Sequence, residues 1–70
     1  MTVETIGDRI RFLRERNDLT RMALAKLVYV DRRTVSRWEN GEIFPRSGDI
    51  KRISEIFGVS CDYIIIGKKK

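Results

Sequence analysis

Residues 20–41, TRMALAKLVYVDRRTVSRWENG, are the stretch on which the reading of the whole chain turns. Thr20 is suited to cap a helix, because its hydroxyl can accept a bond from a first-turn backbone N–H that has no helical partner. Met22, Ala23, Leu24, Ala25 and Leu27 follow it as the body of that helix. Asp31 is the next cap by the same chemistry, opening a helix from Arg32 to about Asn40 that Gly41 stops. Tyr29, Val30 and Asp31 are then a tight turn between two short helices. Leu24, Val35 and Trp38 are apolar where such helices would grip, and Ala25 is small where their backbones would approach. A helix-turn-helix needs this pattern, but so does any buried helix pair in a small bundle.

The outward face of the second of these helices separates the two readings. With Val35 and Trp38 directed inward at i, i+3, the remaining faces carry Arg32, Arg33, Ser36 and Arg37. A solvated helix face usually interleaves Glu for i, i+4 pairing, whereas this one has none before Glu39. Arginines on the first turn of a helix set into a DNA major groove can bond guanine O6 and N7 together, worth roughly 1–3 kcal/mol of discrimination per good pair. The hydroxyls of Thr34 and Ser36 beside them add groups able to bond bases or phosphates.

Outward from this stretch, Ile6, Ile10 and Leu13 recur at helical spacing, so a first helix is expected from about Val3 to Arg16, stopped by Asn17 and Asp18. Glu42–Arg46 is a loop with the only proline, Pro45. Ser47, or the residue before it, caps a fourth helix holding Ile50, Ile53, Ile56 and Phe57 and closed by Gly58. Ser60 caps a short last helix, Cys61 to about Ile66, with Val59 packing back on Tyr63 or Ile64. The expectation is an all-α fold: a five-helix bundle containing a helix-turn-helix, one domain over residues 1–67, and a basic tail over 68–70.

Composition removes other classes. Seventy residues allow one domain. One cysteine rules out an internal disulfide, and the absence of histidine removes the zinc-finger ligand set and the usual general base. No catalytic residue, metal site, cofactor or small-molecule substrate is expected. The apolar runs 27–30 and 63–66 are too short to span a bilayer, no signal-like segment opens the chain, and a cytoplasmic protein is expected. The formal net charge is +5, and its excess lies mid-chain: residues 21–52 carry eight basic and four acidic groups, while residues 1–20 balance. Such a distribution suits a polyanionic partner.

Four segments in order, IGDRIRFLRERNDLT, LAKLV, TVSRWENG and FGVSCDYI, resemble the lambda-repressor-like, Cro-type (xenobiotic-response-element) helix-turn-helix domain of phage repressors and small bacterial regulators. The resemblance implies a five-helix domain that binds palindromic double-stranded DNA operators as a homodimer. Position by position, it implies base reading by Arg32, Arg33 and Arg37, with Ser36 a weaker match. It implies phosphate contacts from Arg21, Asn40 and Arg46; the hydroxyl of Thr34 is expected, by its own chemistry, to join them. It also implies an ion pair between Arg14 and Glu39 that links the first and third helices. Three positions depart from the family pattern: Tyr29 where Gly is preferred, Asp31 where Ser or Thr is common, and Ser47 where an apolar residue is frequent. The function expected is a transcriptional regulator, with a repressor favoured over an activator. The rival is a protein-interaction module (an antitoxin, anti-repressor or adaptor) on the same fold. Ile64, Ile65 and Ile66 are either a dimer surface or, for two of them, closure of the core.

Overall fold

Thr5 sets where the first helix begins. In the computed structural model, which describes residues 5–67, the Thr5 hydroxyl accepts the Asp8 N–H at 3.0 Å, and the Asp8 carboxylate accepts the Thr5 N–H at 3.4 Å. This reciprocal box holds Thr5 extended and starts α1 at Ile6 (Ile6–Arg16), not at Val3 as the apolar spacing suggested. Val3 itself and the 68–70 tail lie outside the described residues. At the other end the Asn17 side chain donates to the Leu13 carbonyl at 2.7 Å, and Asp18 turns the chain at φ 57°.

The next two helices follow their caps. Thr20 accepts the Ala23 N–H at 3.0 Å and opens α2 (Arg21–Val28), while Asp31 accepts the Thr34 N–H at 2.8 Å and opens α3 (Arg32–Glu39). Asn40 is the C-cap of α3 and not its last helical residue. α4 (Ser47–Phe57) starts one residue before the favoured reading: Arg46 is its cap position, held extended with its N–H donated to the Asp49 carboxylate at 3.1 Å. Ser47 is therefore the first helical residue, and it is exposed. Ser60 accepts the Tyr63 N–H at 2.9 Å to open α5 (Cys61–Ile66). No strand occurs among the described residues.

The core collects one face from each helix. Ile10 and Leu13 of α1, Leu24, Ala25 and Val28 of α2, Val35 and Trp38 of α3, Ile53 of α4 and Ile64 of α5 are all buried. Leu24, Val35, Trp38 and Ala25 sit where the two-helix pattern required them. Met22 and Leu27 instead lie on the outer side of α2. Of the three terminal isoleucines only Ile64 closes the core; Ile65 and Ile66 are 45% and 59% exposed, so core closure by two of them does not hold.

Two contacts that hold the bundle involve no apolar side chain. Arg9 is buried, and it donates from Nε to the Ile64 carbonyl and from Nη2 to the Ile65 carbonyl, both at 2.8 Å. A cation there satisfies carbonyls that the end of α5 leaves unpaired and complements the negative end of the helix. Gly7 lies on α1 directly against the backbone at the end of α3, where a Cβ would meet the Trp38 and Glu39 carbonyl oxygens. Neither residue is marked by hydrophobic periodicity, because their partners are distant in the chain.

Candidate nucleic-acid interface

The first turn of α3 is organised by Asp31. Its Oδ1 accepts the Thr34 N–H at 2.8 Å and the Thr34 hydroxyl at 2.9 Å. These two bonds, backbone first, hold the Asp31 carboxyl below the usual aspartate range, with Arg33 and Arg37 adding a smaller electrostatic pull. A lowered carboxyl stabilises the folded form above its ordinary titration range, and that contribution goes as pH falls through the lowered value. At neutral pH Asp31 is an anion and its cap is intact. Thr34 spends both of its donors on this cap and is half-buried, so the structure leaves it no free proton for the phosphate contact expected above. It stiffens the entry to α3 instead.

Arg32, Arg33 and Arg37 all lie on the exposed side of α3, opposite Val35 and Trp38. None of the three guanidinium groups makes a hydrogen bond or ion pair within the described residues. The helix thus presents a cationic face that no carboxylate neutralises by contact. Ser36 is half-buried between them. Asn40 is exposed at the end of the helix, and Arg46 is exposed where the following loop enters α4.

Beneath this face is a buried ionic cluster. Glu39, whose side chain is wholly buried, accepts Arg14 Nε at 2.7 Å on Oε2, and Arg14 Nη2 at 3.1 Å on Oε1. Oε1 also accepts Arg21 Nε at 3.1 Å. Arg14 fills its third edge by donating Nη1 to the Leu19 carbonyl at 2.8 Å. Its pKa is raised, chiefly by the hydrogen bonds to Glu39 against an opposing burial cost, so it stays charged. The Arg14–Glu39 pair is therefore present, and Arg21 joins it. Arg21 is fixed only through Nε and its side chain is 36% exposed, which leaves the terminal nitrogens of its fork without a partner among the described residues. A residue placed at the start of α2 as a phosphate contact is thereby also pinned to the carboxylate that closes α3 on α1. The signal for this link was a second arginine near Glu39, but nothing in the residue spacing pairs positions 21 and 39.

The turn between α2 and α3 carries the remaining departure. Tyr29 occupies the left-handed region at φ 61°, ψ 42°, a conformation costing a residue with a Cβ roughly 1–2 kcal/mol. The Gly preference at this position is thus a true conformational requirement, and Tyr29 meets it under strain. Its side chain is 78% exposed, with the Arg52 guanidinium 4.5 Å from the ring centroid.

A helix-turn-helix whose second helix bears unpaired guanidiniums matches known proteins over nearly its whole length. Residues 5–62 match the helix-turn-helix domain family. The chain belongs to that family. Among curated relatives, the helix-turn-helix transcriptional activator BcrR of Enterococcus faecalis is 34% identical over 63 residues, covering 90% of this chain and 31% of that protein. Antitoxin PezA of Streptococcus pneumoniae is 38% identical over 66 residues, covering 93% of this chain and 40% of that protein. This helix-turn-helix chain therefore spans between about a third and two fifths of the length of these two relatives. In structure it is similar to the P22 c2 repressor solved in complex with a synthetic operator. The TM-score is 0.87 at 31% identity, covering 91% of this chain and 97% of that one. No helix among the described residues is long and apolar enough to cross a membrane.

Proposed function

We propose that this helix-turn-helix domain is a sequence-specific DNA-binding transcriptional regulator that sets α3 into the major groove of double-stranded DNA. The observation that carries the reading is the set of three exposed, unpaired guanidiniums of Arg32, Arg33 and Arg37 on a helix locked at its start by Asp31 and at its end by Glu39. A rigid helix holding free forks can read guanine edges without first breaking internal ion pairs. Ser36 stands beside them as an auxiliary base contact. Arg21, Asn40 and Arg46 hold the phosphate backbone and set register. No catalytic step, metal or cofactor belongs to this reading, and the compartment is the cytoplasm. Relatives that carry the names of an activator and a repressor leave the sign of regulation open to either, and repression remains the favoured direction.

One short helix reads too few base pairs to find a single genomic site, so the domain acts as a homodimer on a two-fold operator with half-sites about 34 Å apart. The surface that supports pairing is apolar. Ile65 and Ile66 project from α5, and Phe44 is 81% exposed beside a cleft of about 490 Å³ lined by Ile6, Pro45, Ile50 and Ile65. The antitoxin among the relatives favours a second reading in which this same surface takes a partner protein and DNA binding is secondary.

Selection of bound duplexes from a random pool decides between the two. The proposal expects a two-fold-symmetric consensus, whereas a module whose main target is a protein would keep only unspecific DNA binding and enrich no sequence. With the selected duplex in hand, Arg21→Ala should weaken binding to selected and random DNA alike. It should also make the slope of log K against log salt less negative by about 0.9, the value for one phosphate contact. A loss confined to the selected sequence would place Arg21 among the base readers instead.

A further inference from the structure

We infer that Tyr29 and Arg52 together form an additional phosphate-contacting site that extends the DNA footprint beyond the recognition helix and its flanking loop. The inference rests on the DNA-binding reading above and concerns two residues to which that reading gives no role.

Tyr29 adopts the left-handed conformation that favours glycine, yet its side chain is 78% exposed and contributes nothing to the buried core. Strain retained at a position where packing gains nothing calls for a use of the side chain itself. That side chain has one evident use within the fold. Arg52, on the exposed side of α4, lays its guanidinium over the ring at 4.5 Å from the centroid. Arg52 has no hydrogen bond or ion pair to any described residue. An aromatic face beneath a guanidinium fixes its plane and shields one side from water, while the N–H edge stays open to an acceptor.

Position supplies the nature of that acceptor. Tyr29 precedes Asp31 by two residues, at most about 7 Å of chain, so the ring stands beside the first turn of α3, where Arg32 and Arg33 begin the base-reading face. Tyr29, Thr34 and Arg46 also line one cleft of about 390 Å³ between this turn and the loop into α4. Asp49 lines the cleft too, with Oδ2 accepting the Arg46 N–H; its single negative charge is outnumbered by the two arginine cations beside Tyr29. Arg46 thus shares this cleft with Tyr29 and Arg52 lies over the Tyr29 ring, so two cations adjoin the turn that leads into α3. The non-bridging oxygens of a duplex's phosphodiesters are acceptors of the geometry and charge that a guanidinium edge takes best. The phenol hydroxyl is a further donor to the same strand.

The test measures binding of the wild-type chain, Tyr29→Gly, Arg52→Gln and the double variant to a selected duplex and a random one across a salt series, beside thermal melts. Arg52→Gln should weaken both duplexes roughly threefold or more and make the salt slope less negative by about 0.9. Tyr29→Gly should also weaken both duplexes while its melting temperature stays level or rises, because glycine relieves the left-handed turn. Opposite movement of stability and affinity is not expected of a residue with a purely structural role. The double variant should lose less than the two single losses combined, since the ring acts through Arg52. Wild-type affinity and salt slope in both single variants, with the wild type binding firmly, would overturn the inference alone. Failure of the wild type to bind any duplex would overturn the DNA-binding reading itself.

Discussion

Glu39→Gln is expected to remove a third or more of the stability of this domain. The substitution keeps the shape of the side chain but discharges the acceptor that three donor nitrogens share. Arg14, with only 10% of its side chain exposed, then loses its hydrogen-bonded counter-charge and keeps only the half-exposed Glu15 carboxylate at 3.8 Å. Breaking one side of such a buried pair typically costs about 3–5 kcal/mol, and a 70-residue domain has only about 4–10 kcal/mol in total. Arg21, more than a third exposed, is screened by water and adds less than about 1 kcal/mol. Urea denaturation checks both statements: Glu39→Gln should shift the midpoint strongly, and Arg21→Gln only slightly. Removing Arg14 and Glu39 together should cost less than the two single losses added, because only the part-exposed Arg21 then lacks its partner and no buried charge does. The raised pKa of Arg14 keeps this contribution fully present below the ordinary arginine range, and it is lost only in strong alkali. The effect of Glu39→Gln should thus be the same at every pH around neutrality. A Glu39→Gln variant within 1 kcal/mol of wild type would mean that the cluster behaves as a surface pair.

The second large effect is Gly7→Ala, where two physical effects have opposite sign. Alanine is the better helix former by about 0.5–1 kcal/mol. Against that, its Cβ would overlap the Trp38 carbonyl oxygen and stand 3.0 Å from that of Glu39. Those atoms are backbone, so no rotamer change relieves the clash and α1 must move off the end of α3. Overpacking of this kind costs about 3 kcal/mol. The same shift pulls Arg14 away from Glu39, which adds to the loss. Sterics wins, and Tm should fall by roughly 10–15 °C. Gly48→Ala is the matched control: it also lies in a helix, but a Cβ there meets nothing within 4 Å. It should stabilise by about 0.4–1 kcal/mol. Equal responses at the two positions would show that propensity, and not the close approach of α1 to α3, governs Gly7.

The contrast between these residues and the helix-turn-helix shows what the chain discloses locally. Thr20, Asp31 and Ser60 each cap a helix three residues ahead through a short-range bond, and each was legible from residue type alone. Leu24, Val35 and Trp38 were legible from spacing, because a core face repeats with the helical period. The start of α1 was not, since Ile6 and Ile10 fit the period wherever the helix begins, and only the Thr5–Asp8 box fixes it. Arg9 reaches residues 55 and 56 positions away, and no local pattern announces such a bond. The site divides the same way. The guanidiniums of α3 stand where a periodic helix must put them. Arg21 and Thr34 acquired partners, Glu39 and Asp31, that decide which of their atoms remain free. The isoleucines were ambiguous because the last helix is too short for its period to distinguish inward from outward positions.

The α3 arginines are the centre of the account, and one measurement addresses them directly. Duplex selection is repeated with Arg33→Ala and with Arg32→Ala, and each consensus is compared with that of the wild type. The account predicts that each variant still selects a two-fold site but loses preference at its own symmetric pair of positions. Discrimination there should fall by about 1–3 kcal/mol while the other positions hold. An unchanged consensus in both variants, accompanied by uniformly weaker binding, would contradict it, because those guanidiniums would then be holding phosphates and reading nothing.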